Sequence, residues 1–279
     1  MTKELESILL LGESDVGKTH FGAQLLRRLN VSAGQLRMSG AAASIEPFEA
    51  ALEKLSQGFA ADHTPHAVYA DSVWPVQSLS GQAANLVWPD YGGEQISKDI
   101  VANKRLNDNW RRRTIDSTAW LMMIRPAHAI IADDVLTRSI SKSPAEQDAV
   151  ASLSAQSRFI ELLQMLLFIR SASTNHRKND VPIAIVLSCF DELQVEGSPS
   201  EYFAAHLPLV NQFVRSRWPD DILMIFGLSA LGRPLSPKTS DSEFASKGPE
   251  HFGYVVLPDG SRTPDLSIPV VALMDSSVA

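Results

Sequence analysis

Apolar residues occur along the chain in two patterns. Short runs, such as Ser7–Leu11 and Ile183–Leu187, are apolar almost throughout, which is typical of strands buried on both faces. Longer stretches repeat apolar residues three and four positions apart, which is typical of helices packed on a core. The predicted helices span 18–29, 47–58, 152–169 and 202–218, and the predicted strands span 7–11, 129–132, 183–187 and 222–228, with a further apolar run at 120–124.

The order of these elements favours one fold class. Two β-rich segments, 67–76 and 85–88, are joined through Ser80-Gly81-Gln82 and predict an antiparallel hairpin. Elsewhere, strands alternate with helices long enough to cross over the sheet, which favours parallel pairing with helices on both faces. The sequence therefore predicts an α/β fold with a mainly parallel sheet and one antiparallel hairpin edge.

The last part of the chain has a different character. Prolines punctuate it, and Leu257-Pro258-Asp259-Gly260 is a turn signature between short β-like runs. We therefore expect residues 1–232 to form the main domain. Residues 233–279 are expected to pack on that domain as an appendage, with Val270–Met274 as its anchor.

Composition and charge narrow the class of protein. The 279 residues are 44% hydrophobic and 20% charged, as in an ordinary globular protein, and the formal charge of −7 disfavours broad contact with a nucleic-acid backbone. The single cysteine, Cys189, excludes an internal disulfide. No export signal is visible, and no apolar stretch reaches the roughly 18 to 20 residues of a membrane span. We expect a cytoplasmic protein without a direct nucleic-acid partner or membrane insertion.

One motif near the amino end carries specific chemistry. The pattern G-x-x-x-x-G-K-[ST] is matched, after a strand and at the start of a helix, by Gly12-Glu13-Ser14-Asp15-Val16-Gly17-Lys18-Thr19. The two glycines let successive backbone N–H groups turn inward, and the helix amino terminus adds a partial positive charge. Lys18 would reach the β and γ phosphates, and the Thr19 hydroxyl would bind Mg²⁺. The motif predicts a phosphate-loop (P-loop) NTPase that binds a triphosphate.

Three shorter motifs follow in the order that GTPases have them. They are Asp90-Tyr91-Gly92-Gly93-Glu94 for D-x-x-G, Ser188-Cys189-Phe190-Asp191 in the place of N/T-K-x-D, and Ser229-Ala230 at the end of the last strand. With them the sequence resembles a Ras-like GTPase of the translation-factor-related class. The run from Trp88 to Glu94, the long segment before residue 188 and the Pro-Asp-Gly turn are similar to the bacterial double-GTPase family, which is associated with conflict and phage-defence gene neighbourhoods.

The resemblance implies a site for GTP or GDP and Mg²⁺. Asp90 would hold the metal through water, and Thr64 is the residue best placed to complete the metal ligands beside Thr19. The Gly93 N–H would sense the γ phosphate, which makes residues 90–98 the second switch. The enlarged segment of the main domain would then lie between that switch and residue 188.

The resemblance also assigns the base-recognising residues. Asp191 would accept both the N1–H and the exocyclic amine of guanine, a pairing that adenine cannot reproduce because it has no N–H at N1. Ser229 and Ala230 would contact the base oxygen through the backbone. This chain has Ser188 and Cys189 where the family pattern has asparagine and lysine, so we expect lowered guanine affinity, and the choice of base stays open.

A second departure concerns hydrolysis. Where many GTPases carry the glutamine that orients the attacking water, this chain has Glu94, followed by Gln95. A glutamate can polarise water but repels a γ phosphate, so we expect slow hydrolysis of GTP to GDP and phosphate. An arginine supplied by a partner would accelerate such a reaction by about 10³- to 10⁵-fold. The cluster Arg111–Arg113 is either such a donor, a docking site or a solvated surface.

Other interpretations of the same residues stay open. Asp133-Asp134 follows an apolar run and would hold Mg²⁺ in an ATPase or kinase. The pair His63 and His66 would bind a metal only with further ligands that the sequence does not supply. A third alternative is a nucleotide-holding scaffold that never hydrolyses GTP, which Glu94 favours.

The preferred prediction is therefore a GTP-binding molecular switch that is also a slow, Mg²⁺-dependent GTPase. Its catalytic candidates are Lys18, Gly93, Glu94 and Gln95. We expect it to act in a multi-protein bacterial conflict or signalling system, with a protein effector or a second GTPase as partner and a homo- or hetero-oligomer as the assembly. The strongly apolar stretch 159–169 is either core packing or part of that partner interface.

Overall fold

The computed structural model describes most of the chain. The residues that it describes are 6–31, 34–61, 72–89, 106–129, 155–173, 181–193, 195 and 197–276. Within them, nine strands form one sheet in the order β2-β3-β4-β1-β5-β6-β7-β8-β9. The strands are β1 Glu6–Leu11, β2 Leu36–Met38, β3 Ser72–Ser78, β4 Ala83–Trp88, β5 Ala119–Ile124, β6 Ile183–Ser188, β7 Leu223–Ser229, β8 Tyr254–Val256 and β9 Arg262–Thr263.

Helices cover both faces of this sheet, as the alternating pattern predicts. In the described part of the chain they are α1 Lys18–Asn30, α2 Glu46–Ser56, α3 Asp108–Asp116, α4 Ala155–Ser173, α5 Pro199–His206, α6 Pro208–Arg217, α7 Ser242–Lys247 and α8 Ile268–Ser276. Side chains alternate between the faces along each strand, so Leu9 and Leu11 of β1 pack on the side of α3 to α6, and Ile8 and Leu10 pack on the side of α1, α2 and α8.

The strand pairing confirms the predicted α/β class. β4, β1, β5, β6 and β7 pair in parallel at the centre, and β3 pairs antiparallel with β4 as the predicted hairpin. The structure adds a second antiparallel edge, because β8 pairs with β7 and β9 pairs with β8. These two strands are three and two residues long, too short for the alternation of apolar and polar residues to mark them.

The predicted helix over 202–218 is two helices. α5 ends at His206 and α6 begins at Pro208, and Leu207 between them has φ −128° and ψ 52°, outside the helical region. The ring of Pro208 disfavours a helical conformation of the preceding residue, which is why the helix breaks there. Each helix still contributes apolar side chains to the same core, including Phe203 and Val210.

The strand that lies between β1 and β6 in the sheet is β5, which contains the apolar run 120–124 noted in the sequence. β5 pairs with both neighbours and is buried throughout. The strand candidate 129–132 is not extended at its first residue, because Ala129 follows a 3₁₀ turn over Pro126–His128, and residues 130–132 lie outside the described residues. Helix α3, which the sequence did not predict, begins with Asn107 accepting a hydrogen bond from the Trp110 N–H at 2.9 Å.

The described residues of the predicted appendage share the sheet and core with the main domain. β8 and β9 extend the sheet, and α8 packs beneath β1, β5, β6 and β7. The anchor Val270–Met274 is buried in the same apolar cluster as β1 and α1, with Ala272 partly buried at its edge. The domain boundary at 232 stays a prediction. Among the described helices, none combines the length and the apolar character that crossing a membrane requires.

Candidate functional site

The phosphate loop joins the carboxyl end of β1 to the start of α1, as predicted. Gly17 has φ 82° and Asp15 has φ 61°, so the backbone takes the left-handed conformation twice within three residues. A Cβ on Gly12 would lie 2.9 Å from Val16 Cγ2 and 3.1 Å from the Met123 carbonyl oxygen, so only glycine fits the start of this loop. These constraints produce the tight turn that an anion-binding loop requires.

The Lys18 ammonium group lies over this loop. Lys18 Nζ donates to the Gly12 carbonyl oxygen at 2.8 Å and to the Glu13 carbonyl oxygen at 2.5 Å. Burial lowers the pKa of Lys18 to about 8, and the carboxylates of Asp15 and Glu13 oppose that shift. A buried cation at the amino terminus of a helix attracts a polyphosphate strongly, because the low local dielectric strengthens the attraction.

Glu13 of the loop is paired with an arginine from the middle of the chain. Arg158 on α4 donates from Nε to Glu13 Oε1 at 2.9 Å and from Nη2 to Glu13 Oε2 at 3.1 Å. The hydrogen bond to Glu13 raises the pKa of Arg158, against a smaller lowering by burial. This bidentate pair neutralises a carboxylate that would otherwise repel a triphosphate at the loop.

The motif Ser188–Asp191 begins at the last residue of β6, which lies two strands from β1 in the sheet. Ser188 is buried, and its Oγ has no hydrogen-bond partner among the described residues. Cys189 has φ 51°, and Phe190 begins a 3₁₀ turn that continues through Asp191. The turn holds Phe190 against Gly227 of β7, where a Cβ would lie 2.8 Å from the ring. The next residue, Asp191, therefore lies beyond the carboxyl ends of the parallel strands, as the phosphate loop does.

Ser229 and Ala230 lie at the carboxyl end of β7, beside this motif. Ser229 is buried, and its Oγ accepts a hydrogen bond from the Gly232 N–H at 2.9 Å. Tyr254 of β8 is paired with Ser229 across the strands. Burial raises the pKa of Tyr254, Arg262 opposes that shift, and the carboxylate of Asp191 adds to it.

The two predicted nucleotide-binding loops lie side by side. A Cβ built on Gly17 would lie 3.7 Å from Cys189 Sγ, in ordinary contact. Burial raises the pKa of the Cys189 thiol to about 11, and Arg125 opposes that shift. Both loops therefore meet at the carboxyl ends of parallel strands, which is where open α/β sheets bind their ligands.

The family comparison agrees with this arrangement. A model of the Double-GTPase 1 family matches residues 9–273. The chain belongs to the Double-GTPase 1 family. The resemblance to double GTPases is thereby confirmed, and guanine nucleotides are the ligands that membership in a GTPase family implies. No curated protein is similar enough in sequence to be matched.

Solved structures similar to this Double-GTPase 1 chain are distant. A bacterial selenocysteine-specific elongation factor shares 10% identity at a TM-score of 0.38, covering 82% of this chain and 26% of its own. The signal recognition particle receptor SRb-GTP/SRX complex from Chaetomium thermophilum shares 12% sequence identity at a TM-score of 0.44, and the match covers 84% of this chain and 94% of that chain. The Methanosarcina barkeri Roco2 RocCORdC structure bound to GDP shares 12% sequence identity at a TM-score of 0.32, and the match covers 82% of this chain and 45% of that chain. The chain thus spans about a quarter of the elongation factor.

Several predicted site residues of this Double-GTPase 1 member lie outside the described residues. They are Thr64, Asp90, Gly93, Glu94 and Gln95, together with the alternatives His63, His66, Asp133 and Asp134. Their roles stay predictions. In the part of the chain that the structure describes, no group of three histidine, cysteine or acidic side chains forms a metal site.

The predicted arginine cluster lies on α3. Arg111 and Arg112 are exposed, and the Arg113 guanidinium carbon lies 6.0 Å from the Trp110 ring centroid. α3 leads into the amino end of β5, where the Thr118 N–H donates to the Ser7 carbonyl oxygen at 2.8 Å. The phosphate loop follows the opposite, carboxyl end of β1, so α3 joins the sheet at the end away from the predicted nucleotide site.

Two other arginines lie at the phosphate loop, and the sequence interpretation missed both. Arg125 directly follows β5, and Arg158 is the fourth residue of α4. A charged residue after a fully buried strand is a signal that could have been used, because ligands bind where such strands end. Their partners are far away in sequence, which local patterns do not reveal.

Proposed function

We propose that this chain is a GTP-binding switch that hydrolyses GTP slowly in the presence of Mg²⁺. The observation that supports the proposal is that the phosphate loop and the Cys189 loop lie side by side at the carboxyl ends of the parallel strands, the end of the sheet at which Lys18 and Asp191 also lie. Family membership supports the guanine nucleotide as the ligand. The Mg²⁺ dependence, the slow rate and the switching are the parts that we propose.

The residues present fit a magnesium-bound triphosphate. Thr19 follows Lys18 in the first turn of α1, where its hydroxyl group is suited to a hard metal ion. The buried Ser188 Oγ lacks a partner at the other loop, as expected of a side chain that pairs when a ligand or water is bound. Mg²⁺, when bound, would neutralise charge that develops on the phosphate oxygens. Lys18 would hold the β and γ phosphates in place.

Base selection would depend on Asp191. Its carboxylate accepts two N–H donors, which guanine offers on one edge and adenine does not. A site built to satisfy such donors rejects ligands that leave its polar groups unpaired. We therefore propose that GTP is preferred over ATP, although the asparagine and lysine of the family pattern are replaced by Ser188 and Cys189.

A nucleotide-affinity panel tests the binding proposal. The purified chain is titrated with a fluorescent GDP analogue, which is then displaced by GTP, XTP or ATP. Lys18→Ala should abolish binding, whereas Lys247→Ala, which removes an exposed lysine on α7, should not. Asp191→Asn should shift the preference from GTP to XTP, with the exposed Asp220→Asn as control. Equal affinity of the wild type for ATP and GTP would reject the base assignment.

Phosphate release tests turnover. The wild-type chain is incubated with excess GTP, with and without Mg²⁺, and released phosphate is followed over many turnovers. Slow release that requires Mg²⁺ and is lost in Lys18→Ala supports the GTPase. The absence of any release by the chain alone and with candidate partners would favour a nucleotide-holding scaffold instead.

We further propose that the bound state is communicated to a protein partner in a bacterial conflict or signalling system. A γ phosphate that orders one segment and releases it on hydrolysis is a general way to present two surfaces. The predicted switch residues are Thr64 and 90–98. Capture of one partner by the GTP-loaded chain, and not by the GDP-loaded chain, is the expected result.

A further inference from the structure

Arg125 connects the two predicted nucleotide-binding loops. Its Nη1 donates to the carbonyl oxygen of Asp15 in the phosphate loop at 3.1 Å. Its Nε donates to Glu192 Oε2 at 3.0 Å, and its Nη2 donates to Glu192 Oε1 at 2.5 Å. Glu192 directly follows Asp191, so one guanidinium group holds both loops at once.

The places where Arg125 attaches are conformationally unusual. Among the described residues, the non-glycine residues with positive φ are Asp15 and Cys189, one in each loop. Such conformations cost free energy and persist only where the surroundings hold them. Arg125 supplies such a hold, because it binds the carbonyl oxygen of Asp15 and the carboxylate three residues after Cys189.

The electrostatics favour a fixed connection. The hydrogen bond to Glu192 raises the pKa of Arg125, desolvation opposes that shift, and the carboxylates of Glu192 and Asp15 add to it. Both partners are partly buried, with the Arg125 side chain 24% exposed and the Glu192 side chain 28% exposed. A bidentate arginine–carboxylate pair fixes orientation as well as distance, which a lysine at the same place would not do.

We propose that Arg125 is a positioning residue that holds the base-recognising loop in register with the phosphate loop. Ser188, the first residue of the Ser188–Asp191 motif, does not make that connection, because its buried Oγ has no hydrogen-bond partner among the described residues. This inference rests on the proposed function, because it assumes that a guanine nucleotide spans both loops. Arg125 is assigned no contact with the nucleotide itself.

Binding measurements with two probes test the connection. Under the proposed function, GDP would contact both loops, whereas inorganic pyrophosphate would contact only the phosphate loop. Arg125→Ala should weaken GDP binding by about tenfold or more and weaken pyrophosphate binding clearly less, because pyrophosphate would sense only the loosened phosphate loop and not the lost register with the second loop. Glu192→Gln should act in the same direction but less strongly, because its amide oxygen still accepts one bond, and the double variant should lose no more than Arg125→Ala, because both changes weaken one connection.

The controls separate positioning from general stability. Arg215→Ala removes an exposed arginine of α6 that is paired with Asp220, and it should alter neither affinity. Arg125→Lys keeps the charge but not the bidentate geometry, so its GDP affinity should lie between those of wild type and Arg125→Ala. If Arg125→Ala does not fold, Glu192→Gln and Arg125→Lys provide the test. Equal losses for GDP and pyrophosphate, or no loss for either, would overturn the inference.

A measurement without nucleotide keeps the inference testable if the proposed function fails. Hydrogen exchange at the amides of 14–17 in the nucleotide-free chain should become faster in Glu192→Gln, although the substitution lies in the other loop. Exchange in β7 should not change. Unchanged exchange at 14–17 would refute the connection, whereas failure of the wild type to bind GDP would refute only the proposed function.

Discussion

Gly227 offers a sharp test of how the sheet positions the base-recognising loop. A Cβ at this position of β7 would lie 2.8, 2.9 and 3.0 Å from three ring atoms of Phe190. Phe190 is buried and packs against Tyr202 with ring centroids 6.1 Å apart. Apolar atoms pack best at about 3.5 to 4.0 Å, so Gly227→Ala would push the ring by roughly 1 Å. The displaced ring would move Asp191, the next residue.

The size of the effect follows from two opposing contributions. Overpacking a core costs about 1 to 3 kcal/mol. Replacing glycine by alanine contributes about 0.4 to 1 kcal/mol in the opposite direction by restricting the unfolded chain. The difference between the middles of these two ranges is about 1.3 kcal/mol, so we expect Gly227→Ala to lower the free energy of unfolding by about that amount and the Tm by about 3 to 5 °C. GDP affinity should fall as well, because Asp191 is displaced.

Urea unfolding with two further variants checks this reasoning. Adding Phe190→Leu to Gly227→Ala should recover part of the lost stability, since a smaller side chain leaves room for the new methyl group. Gly40→Ala is the matched control, because its nearest neighbour, Pro75 Cγ, is 3.3 Å away and φ there is not positive. A Gly227→Ala chain that unfolds at the same urea concentration as wild type would refute the packing argument.

Three further predictions concern the same region. Arg158→Ala removes the arginine that pairs with the Glu13 carboxylate, so GDP affinity should fall about tenfold. Adding Glu13→Gln should largely restore GDP affinity. A loss that persists in the double variant would contradict the role of Arg158 in neutralising Glu13. Burial raises the Cys189 pKa from 9.0 to about 11, which lowers the thiolate fraction at pH 8 by about 100-fold. Alkylation of Cys189 at pH 8 should therefore be about 100-fold slower in the folded chain than in urea, and its rate in the folded chain should increase about tenfold per pH unit. Equal rates in the folded and the urea-unfolded chain would contradict the prediction. Trp88 lies two residues before the predicted metal ligand Asp90, and its ring centroid is 4.7 Å from that of Trp74. The fluorescence of Trp88 should therefore change when GTP binds, and Trp88→Phe should remove that change. A change that persists in Trp88→Phe would come from another tryptophan and would contradict the prediction.

The predictions that succeeded rest on local signals. The phosphate loop was recognised because the strand, the turn and the helix that form it are consecutive over 6–30. β6 and β7 were recognised because central parallel strands are apolar on both faces, a pattern that few other elements share. The order of the motifs along the chain then indicated which strand ends would meet.

What the sequence did not reveal depends on distant partners. Arg125 and Glu192 are 67 positions apart, and Arg158 and Glu13 are 145 positions apart. Nothing within a local window distinguishes these arginines from solvated ones. The boundary at Leu207 is different, because Pro208 was a visible signal against a continuous helix and was outweighed by the apolar periodicity on both sides.

The position of α8 has a consequence for how the protein forms during synthesis. Its apolar side chains, from Val270 to Met274, fill the space beneath strands that begin at residue 6. A nascent chain translated only as far as β7 has made the phosphate loop but still exposes that apolar surface to water. Ribosome-bound chains of this length should therefore recruit a holding chaperone, and native packing should be reached only after residue 276 has left the exit tunnel.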